Sequence, residues 1–515
     1  MATTRRTSIV GERAPFFWAG CAAIALGVLL HLPMLAMAHE MGNHLAGMEM
    51  DAGMWAGMAL IFAGVPLAIF GALPKHRAAH GADAGTSYEA PDSTPLNRWH
   101  AAVLFVLILG LIIDVMKPAT LGFVLPGMSR EYGISRATVA WFPFVALVGT
   151  TVGSFLWGWL ADIYGRRVSI LLSTILFVAT SICGAMPAFE LNLLMCFLMG
   201  SSAGGMLPVV YTLLAEVMPP RHRSWVLVLV GGTGLVGGYL AASAAAHAFE
   251  PVFGWRVLWL QGFPTGILLL LLARWIPESP RFLAEQGRTA EIEQMRTKYG
   301  IVPRPRQPVP ADAQVAHQRH GRLTTALVIS ALAWSFVNFG LLLWLPLDLQ
   351  ARGYSSELAS GILASSALVA LPTIMLAAWL YSRWSSKWTF VGTIVITLAG
   401  LVGALLPAHI LSWPPLLIAV IAMLIVGTNG MIAVLLPYAA ENYPLGVRGR
   451  ATGLVAGASK FGGVAVQGFA LAGLIPTLAG AAFALLVPMG AAAGLVAWAG
   501  RETRGRSLRE LEAHG

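Results

Sequence analysis

Charge is scarce in this chain. Lys, Arg, Asp and Glu make up 11% of the 515 residues, while 57% are hydrophobic. An average soluble domain is about 25% charged and roughly 45–50% apolar. A water-soluble protein of this length needs more polar surface than that, so a soluble enzyme and a DNA-binding protein are both excluded. Cysteine is almost absent as well. Cys21, Cys183 and Cys196 all lie in apolar runs, which excludes a disulfide framework and a C-x-x-C metal site. No Walker-type G-x-x-x-x-G-K-[ST] loop occurs, which argues against an ATP-driven pump in this chain.

Long apolar runs are abundant. A bilayer core takes about 20 residues as a helix, and that ruler gives fourteen candidate spans, from 15–37 to 477–500, grouped as two, six and six. The expected fold is therefore an all-α polytopic membrane protein. Its segments are a two-helix piece with a Met/His-rich outer loop (1–73), a linker (74–98), a six-helix half (99–276), a central loop (277–322), a second six-helix half (323–500) and a tail (501–515). The run after the basic N-terminus is longer than a signal-peptide core and reads as an uncleaved first span. The excess of Lys and Arg (33 against 24 Asp and Glu) is not a nucleic-acid footprint. It falls in alternate loops, as the positive-inside rule requires: near the N-terminus, in both polar linkers, in the Asp162–Arg167 turn and in the tail. Both termini are thus expected to be cytoplasmic. Membrane lipid and a small-molecule solute are the expected partners, with no nucleic acid, and the chain is expected to be a monomer.

The two groups of six share their punctuation. Glu216-Val-Met-Pro219 with Arg223, and Glu441-Asn-Tyr-Pro444 with Arg448, both read E-x-x-P-x-x-x-R, 225 residues apart. Glu278-Ser-Pro-Arg281 and Glu502-Thr-Arg504 follow the sixth span of each half and lie 224 apart at their glutamates. This common offset indicates a duplicated six-helix unit, with a substrate cavity between the copies as the natural outcome.

The turn Gly158-Trp-Leu-Ala-Asp162-Ile-Tyr-Gly165-Arg166-Arg167 has the makings of a gate. Glycine at 158 would allow close helix approach, and an Asp–Arg cluster can form in one conformation and break in another. The plainer reading is a topology anchor that only holds the loop inside. The turn resembles G-x-L-A-D-x-x-G-R-R, the signature loop of the major facilitator superfamily. Pro277-Glu-Ser-Pro-Arg281, the paired E-x-x-P-x-x-x-R motifs and Glu502-Thr-Arg-Gly-Arg-Ser-Leu508 resemble that superfamily's sugar-porter and metabolite–proton symporter branch. The resemblance covers about 99–512, so residues 1–98 are additional to it. It implies a 6+6 helix repeat and a transporter working by alternating access, with Gly158, Asp162, Gly165, Arg166, Arg167, Glu216, Arg223, Glu441 and Arg448 as gating residues. Two positions depart from the pattern. Ser382 stands where the second half should carry Asp, which makes the clamp one-sided. Cys196 stands where the family often has a coupling arginine.

Asp114-Val-Met-Lys117-Pro118 interrupts the third apolar run. Residues three apart share a helix face, and each charge would cost about 2.5–3.5 kcal/mol at mid-membrane on insertion scales. Pro118 removes a backbone hydrogen bond, which predicts a local kink. Related aromatic-acid symporters carry D-G-x-D in this region. Asp114 would then be the protonatable group and Lys117 the partner of an anionic substrate group, with the proton as coupling ion; the alternative is a neutralising structural pair. Tyr211, Asn338, Trp344, Asn429 and Gln467 are further substrate candidates, and interhelical bonding is the competing role for each. Gly232-Thr-Gly-Leu-Val-Gly237 fits G-x-G-x-x-G but lacks a βαβ frame, so no dinucleotide cofactor is expected.

Seven methionines fall between 34 and 58, with His31, His39 and His44 beside them. Thioether and imidazole ligands suit Cu(I), which makes His39, Met41, His44, Met48 and Met50 candidate ligands; the competing reading is an apolar packing loop. The reading that fits these features together is a secondary active transporter of a small organic, anionic metabolite in a bacterial inner (plasma) membrane, importing with protons. A copper-handling transporter and a transporter-like sensor that moves nothing are the alternatives.

Overall fold

The computed structural model describes residues 13–73, 86–305, 321–443, 445–474 and 477–503. Among them, fourteen helices are long and apolar enough to cross a membrane. In chain order the spans are Ala14–Glu40, Ala52–Ala72, Arg98–Tyr132, Arg136–Tyr164, Arg166–Ala185, Phe189–Val217, Pro220–Phe253, Val257–Trp275, Gly321–Ala351, Ser356–Arg383, Ser386–Ala404, Pro414–Asn442, Ala451–Leu471 and Leu478–Ala499. The fourteen runs of the sequence are all there, but several helices outlast their apolar windows. The third span continues as helix through Pro118 and Pro126 to Tyr132. The kink expected at Pro118 is therefore no helix break. Pro118 still cannot donate to the Asp114 carbonyl four residues back.

Contacts divide the described chain into two compact units. The first takes the described residues within Met1–Lys117, Val148–Arg221 and Phe253–Arg306; the second takes those within Pro118–Leu147, His222–Val252 and Gln307–Gly515.

In the first unit the two N-terminal spans pack on each other and on the fifth span. The second span starts where Asp51 accepts the Met54 N–H (2.7 Å), an N-cap that satisfies one orphan helix donor. Small residues set how closely the two spans approach. A Cβ on Gly71 would stand 2.1 Å from the Phe17 nitrogen, and one on Gly27 would stand 2.6 Å from the Gly57 carbonyl oxygen. Backbone cannot retreat as a side chain can. Gly71→Ala is expected to part the pair, with the 1–3 kcal/mol penalty typical of overpacking, read as a lower Tm of the full-length protein in detergent.

The same unit holds a two-stranded antiparallel sheet, β1 (Thr86–Glu89) with β2 (Val302–Pro305), in the register Glu89–Val302 to Thr86–Pro305. It ties the first linker to the central loop. Asn97 Nδ2 adds a bond to the Lys298 carbonyl oxygen (2.7 Å).

In the second unit, a Cβ on Gly232 would meet Ile374 Cγ2 at 2.5 Å and Ala433 Cβ at 3.3 Å. Gly232, the first glycine of the G-x-G-x-x-G match, thus serves helix packing. In the ninth span the α-helix gives way to a π turn at Asn338–Leu342, an irregularity common at functional sites.

Candidate functional site

Asp114 and Lys117 sit on the third span within the first unit, at 6% and 0% exposure. The Lys117 ammonium is held by the fifth span: it donates to the Phe177 carbonyl and to Thr180 Oγ1 (2.7 Å), and lies 4.4 Å from the centre of the Phe177 ring. Gly262 makes room for it, since a Cβ there would stand 3.3 Å from Nζ. The Phe177 carbonyl has two other donors, Thr180 Oγ1 (3.1 Å) and Ser181 Oγ (3.4 Å), so it does not depend on Lys117. Asp114 lines a small cleft with Ile113, Ser173, Thr174, Phe177, Met206 and Leu269. One aromatic ring, Phe177, thus borders both the cleft of the acid and the ammonium.

At one end of the fifth span stands a second cluster. Gly165 has φ +100° and precedes the helix, whose first N–H groups have no partner within it. The Glu278 carboxylate takes their place: Oε1 accepts from the Arg166 N–H (2.7 Å), the Arg167 N–H (3.4 Å) and the Ser279 N–H (2.9 Å). A negative group at a helix N-terminus is also favoured by the helix dipole. Burial pushes the Glu278 carboxyl above the usual range, against the pull of those N–H groups. The Arg166 guanidinium reaches Asp162 at 3.4 Å, Glu216 at 3.3 Å and the Ala161 carbonyl oxygen at 3.1 Å. The Asp162 side chain is 77% exposed, whereas that of Glu216 is 19% exposed. Screening leaves the exposed pair worth little, so Glu216 is the stronger tie. Gly158 plays no part in close packing: a Cβ there meets nothing within 4 Å. The close approaches of this region are at Gly153, where a Cβ would stand 2.1 Å from the Ser201 carbonyl oxygen, and at Gly165.

The second unit repeats the device with other chemistry. Glu502 accepts from the N–H of Ser386 (2.9 Å) and from the hydroxyls of Ser386 (2.7 Å) and Ser385 at the start of the eleventh span. Glu441 accepts from Ser224 Oγ (2.5 Å), Tyr381 OH (2.7 Å) and Thr503 Oγ1 (2.6 Å). Hydroxyls thus stand where the first unit uses a guanidinium. Ser382 is turned away, with its hydroxyl on the Trp379 carbonyl oxygen (3.2 Å). Arg223 lies near the start of the seventh span. The Arg448 side chain lies outside the described residues, as do Arg504 and Arg506.

The remaining candidates divide by role. Gln467 is fully buried, donates to the Phe339 carbonyl (2.6 Å) and accepts from Trp344 Nε1 (3.3 Å); both bonds pin the π turn. Gln467→Leu would orphan that buried indole N–H at a cost of about 1–3 kcal/mol, seen as a lower Tm in detergent. Asn429 bonds the Ile425 carbonyl oxygen of its own helix (2.9 Å). Asn338 opens the π turn half-buried. Tyr211 has a buried hydroxyl with no partner among the described residues, and so do Tyr239 and, at its indole nitrogen, Trp334. Sequence reading passed over Tyr239, whose signal was a lone phenol in the apolar Gly237-Gly-Tyr239 run, and Glu278, which it took for a family marker.

Much of the Met/His stretch is helix rather than loop. Met34 and Met37 lie on a helical segment, Leu32–Glu40, and Met54 and Met58 on the second span. In the loop proper, His39 Nδ1 engages Asn43 Oδ1 (3.0 Å), and the side chain of Asn43 fills the space where Gly254 has no Cβ. Met48 and Met50 are half-buried, while Met41 and His44 are exposed. Among the described residues no three His, Cys, Asp or Glu side chains gather at metal-ligand spacing.

A family model described as the Major Facilitator Superfamily matches residues 104–466. The niacin transporter NiaP of Acinetobacter baylyi is 27% identical over 391 residues, spanning 73% of this chain and 87% of the relative. The 4-hydroxybenzoate transporter PcaK of Pseudomonas putida is 30% identical over 424 residues, spanning 76% and 91%. Among solved structures, the partially occluded, inward-open xylose transporter XylE from E. coli aligns with a TM-score of 0.63 at 17% identity, over 80% of this chain and 100% of that one. The first two spans lie outside the matched region. From residue 104 to 466, then, the chain belongs to the Major Facilitator Superfamily, and it is a multi-pass secondary transporter rather than an enzyme.

Proposed function

We propose that this protein imports a small aromatic or heteroaromatic monocarboxylate together with protons across a bacterial inner membrane. The observation that carries the reading is Lys117, a cation kept fully buried next to the aromatic ring that borders the Asp114 cleft. Such a charge is costly in a membrane and marks a site where an opposite charge arrives. The substrate carboxylate takes the Lys117 ammonium from the Phe177 carbonyl, which retains the Thr180 and Ser181 hydroxyls. The substrate ring packs against Phe177. Asp114 carries the proton, and its charge state sets whether the cavity holds a net anion once the carboxylate is bound. The relatives named for niacin and 4-hydroxybenzoate support this class. The Arg166 cluster acts as the gate latch, with the termini on the cytoplasmic side as the basic loops prescribe.

The test is uptake of labelled nicotinate and 4-hydroxybenzoate into proteoliposomes holding the purified protein. An inside-alkaline pH gradient should drive accumulation above the equilibrium level, and a protonophore should collapse it. If neither compound enters faster than into empty liposomes, with or without the gradient, the reading fails.

A further inference from the structure

We infer that His31, Met34 and Met54 form a buried site for a soft monovalent cation of the copper(I) type between the first two spans. His31 is fully buried, and its Nδ1 lies 2.7 Å from the Gly27 carbonyl oxygen. A carbonyl has no proton to give, so Nδ1 carries the proton and Nε2 holds the lone pair. That is how metal-binding histidines are set up, with the far nitrogen donating to a backbone carbonyl while the near one binds. Nε2 is buried and has no partner among the described residues. Leaving such an acceptor unmatched costs about 1–3 kcal/mol.

The surroundings specify the ligand. The Cε1–Nδ1 edge of the His31 ring lies against Gly57, where a Cβ would stand 2.6 Å from Cε1 and 2.8 Å from Nδ1. With Nδ1 turned back to the Gly27 carbonyl, Nε2 on the other side of Cε1 faces away from Gly27. Across the seam Gly20 faces Ala68, Ile24 faces Gly64, and Gly27 and His31 face Gly57; Met34 and Met54 would be the next pair in that register, and both are buried. Met34 lies one turn beyond His31, and Met54 one turn before Gly57. Because the spans are antiparallel, both methionines fall on the loop side of the imidazole. Met34 and Met54 are 1% and 0% exposed. One imidazole and two thioethers, with no group of three His, Cys, Asp or Glu at metal-ligand spacing among the described residues, favour Cu(I) over zinc. Met37 and Met41, 41% and 58% exposed at the mouth of the seam, supply thioethers along the way in. The candidate ligands thus shift from the loop to the helix pair, and the inference does not depend on the organic substrate.

The test uses the full-length protein in detergent under reducing conditions, titrated with Cu(I) against a chromophoric chelator. Wild type should hold one Cu(I) per chain, with an X-ray absorption shell of one nitrogen and two sulfurs. Met34→Leu/Met54→Leu, which nearly conserves volume, should weaken retention at least ten-fold without lowering the copper-free Tm. Met41→Leu/Met48→Leu/Met50→Leu should keep the stoichiometry. Absence of Cu(I) binding by wild type, a shell without sulfur, or loss of binding in the loop variant alone would each overturn the inference. Should the helix variant fail to fold, the wild-type shell decides.

Discussion

Lys117→Met should give a protein at least as stable as wild type that no longer transports. The two expectations have opposite signs, which is what separates a binding group from a structural one. A buried Lys near mid-membrane carries an insertion cost of about 2.5–3.5 kcal/mol, and methionine fills a similar length without it. The groups left behind are not stranded. The Phe177 carbonyl keeps the Ser181 hydroxyl as a donor (3.4 Å), and the single Thr180 hydroxyl proton has either the Leu176 carbonyl oxygen (3.0 Å) or the Phe177 carbonyl oxygen (3.1 Å) to go to. The Tm of the variant in detergent should therefore match or exceed that of wild type, while uptake falls to the empty-liposome rate and substrate no longer raises the Tm. Asp114→Asn should separate differently. Substrate-driven counterflow, which needs no net proton movement, should persist, whereas accumulation under a pH gradient should drop at least ten-fold. A Lys117→Met protein that unfolds would show the ammonium to be a structural tie. One that transports normally would remove it from the substrate site.

The third span shows how far the sequence could be read. Hydropathy found the run, and two charges inside it pointed to Asp114 and Lys117, because a charge in apolar sequence is a signal whatever the fold. The partners of Lys117 were not legible. Phe177 offers a backbone carbonyl and Thr180 an ordinary hydroxyl, sixty and sixty-three residues away, and neither stands out in an apolar helix. The full length of the helix was not legible for a related reason, since it persists beyond the apolar run to Tyr132, where polar residues end the hydropathy signal. The repeat spacing did carry through to three dimensions. Glu278 and Glu502, 224 residues apart, each accept the first N–H of a span that follows a turn. Sequence placed them as markers, and only the fold shows that they are helix caps. Gly158 and Gly165 make the same point. Both stand in one motif, yet only Gly165 has a backbone angle and a neighbour that demand glycine. Pairings such as β1 with β2 depend on contacts across more than two hundred residues and leave no periodic trace in polar linkers.

That difference between two glycines of one motif gives the other large effect. Gly165 has φ +100° and ψ +161°, a region essentially closed to side chains and costing of order 1–3 kcal/mol to occupy. An added Cβ would also stand 2.4 Å from Glu278 Oε2, pushing out the carboxylate that caps the fifth span. Gly165→Ala should therefore destabilise strongly and abolish transport. Gly158→Ala, in open space within a helix, should be neutral or stabilising, since Gly is about 0.5–1 kcal/mol worse than Ala there. Glu278→Ala should resemble Gly165→Ala, because it strands the buried Arg166 and Ser279 N–H groups at about 1–3 kcal/mol each. Glu278→Gln retains an acceptor oxygen and should fall between. Combining Gly165→Ala with Glu278→Ala should cost less than the sum of the two, since both break one interaction. In the other unit, Glu502→Ala should be milder: Ser385 Oγ still accepts the Trp388 N–H at 3.0 Å and caps the eleventh span without the carboxylate. Tm in detergent and initial uptake rate, measured across these variants, check the order. If Gly165→Ala and Gly158→Ala behaved alike, the capping role of Glu278 would be refuted.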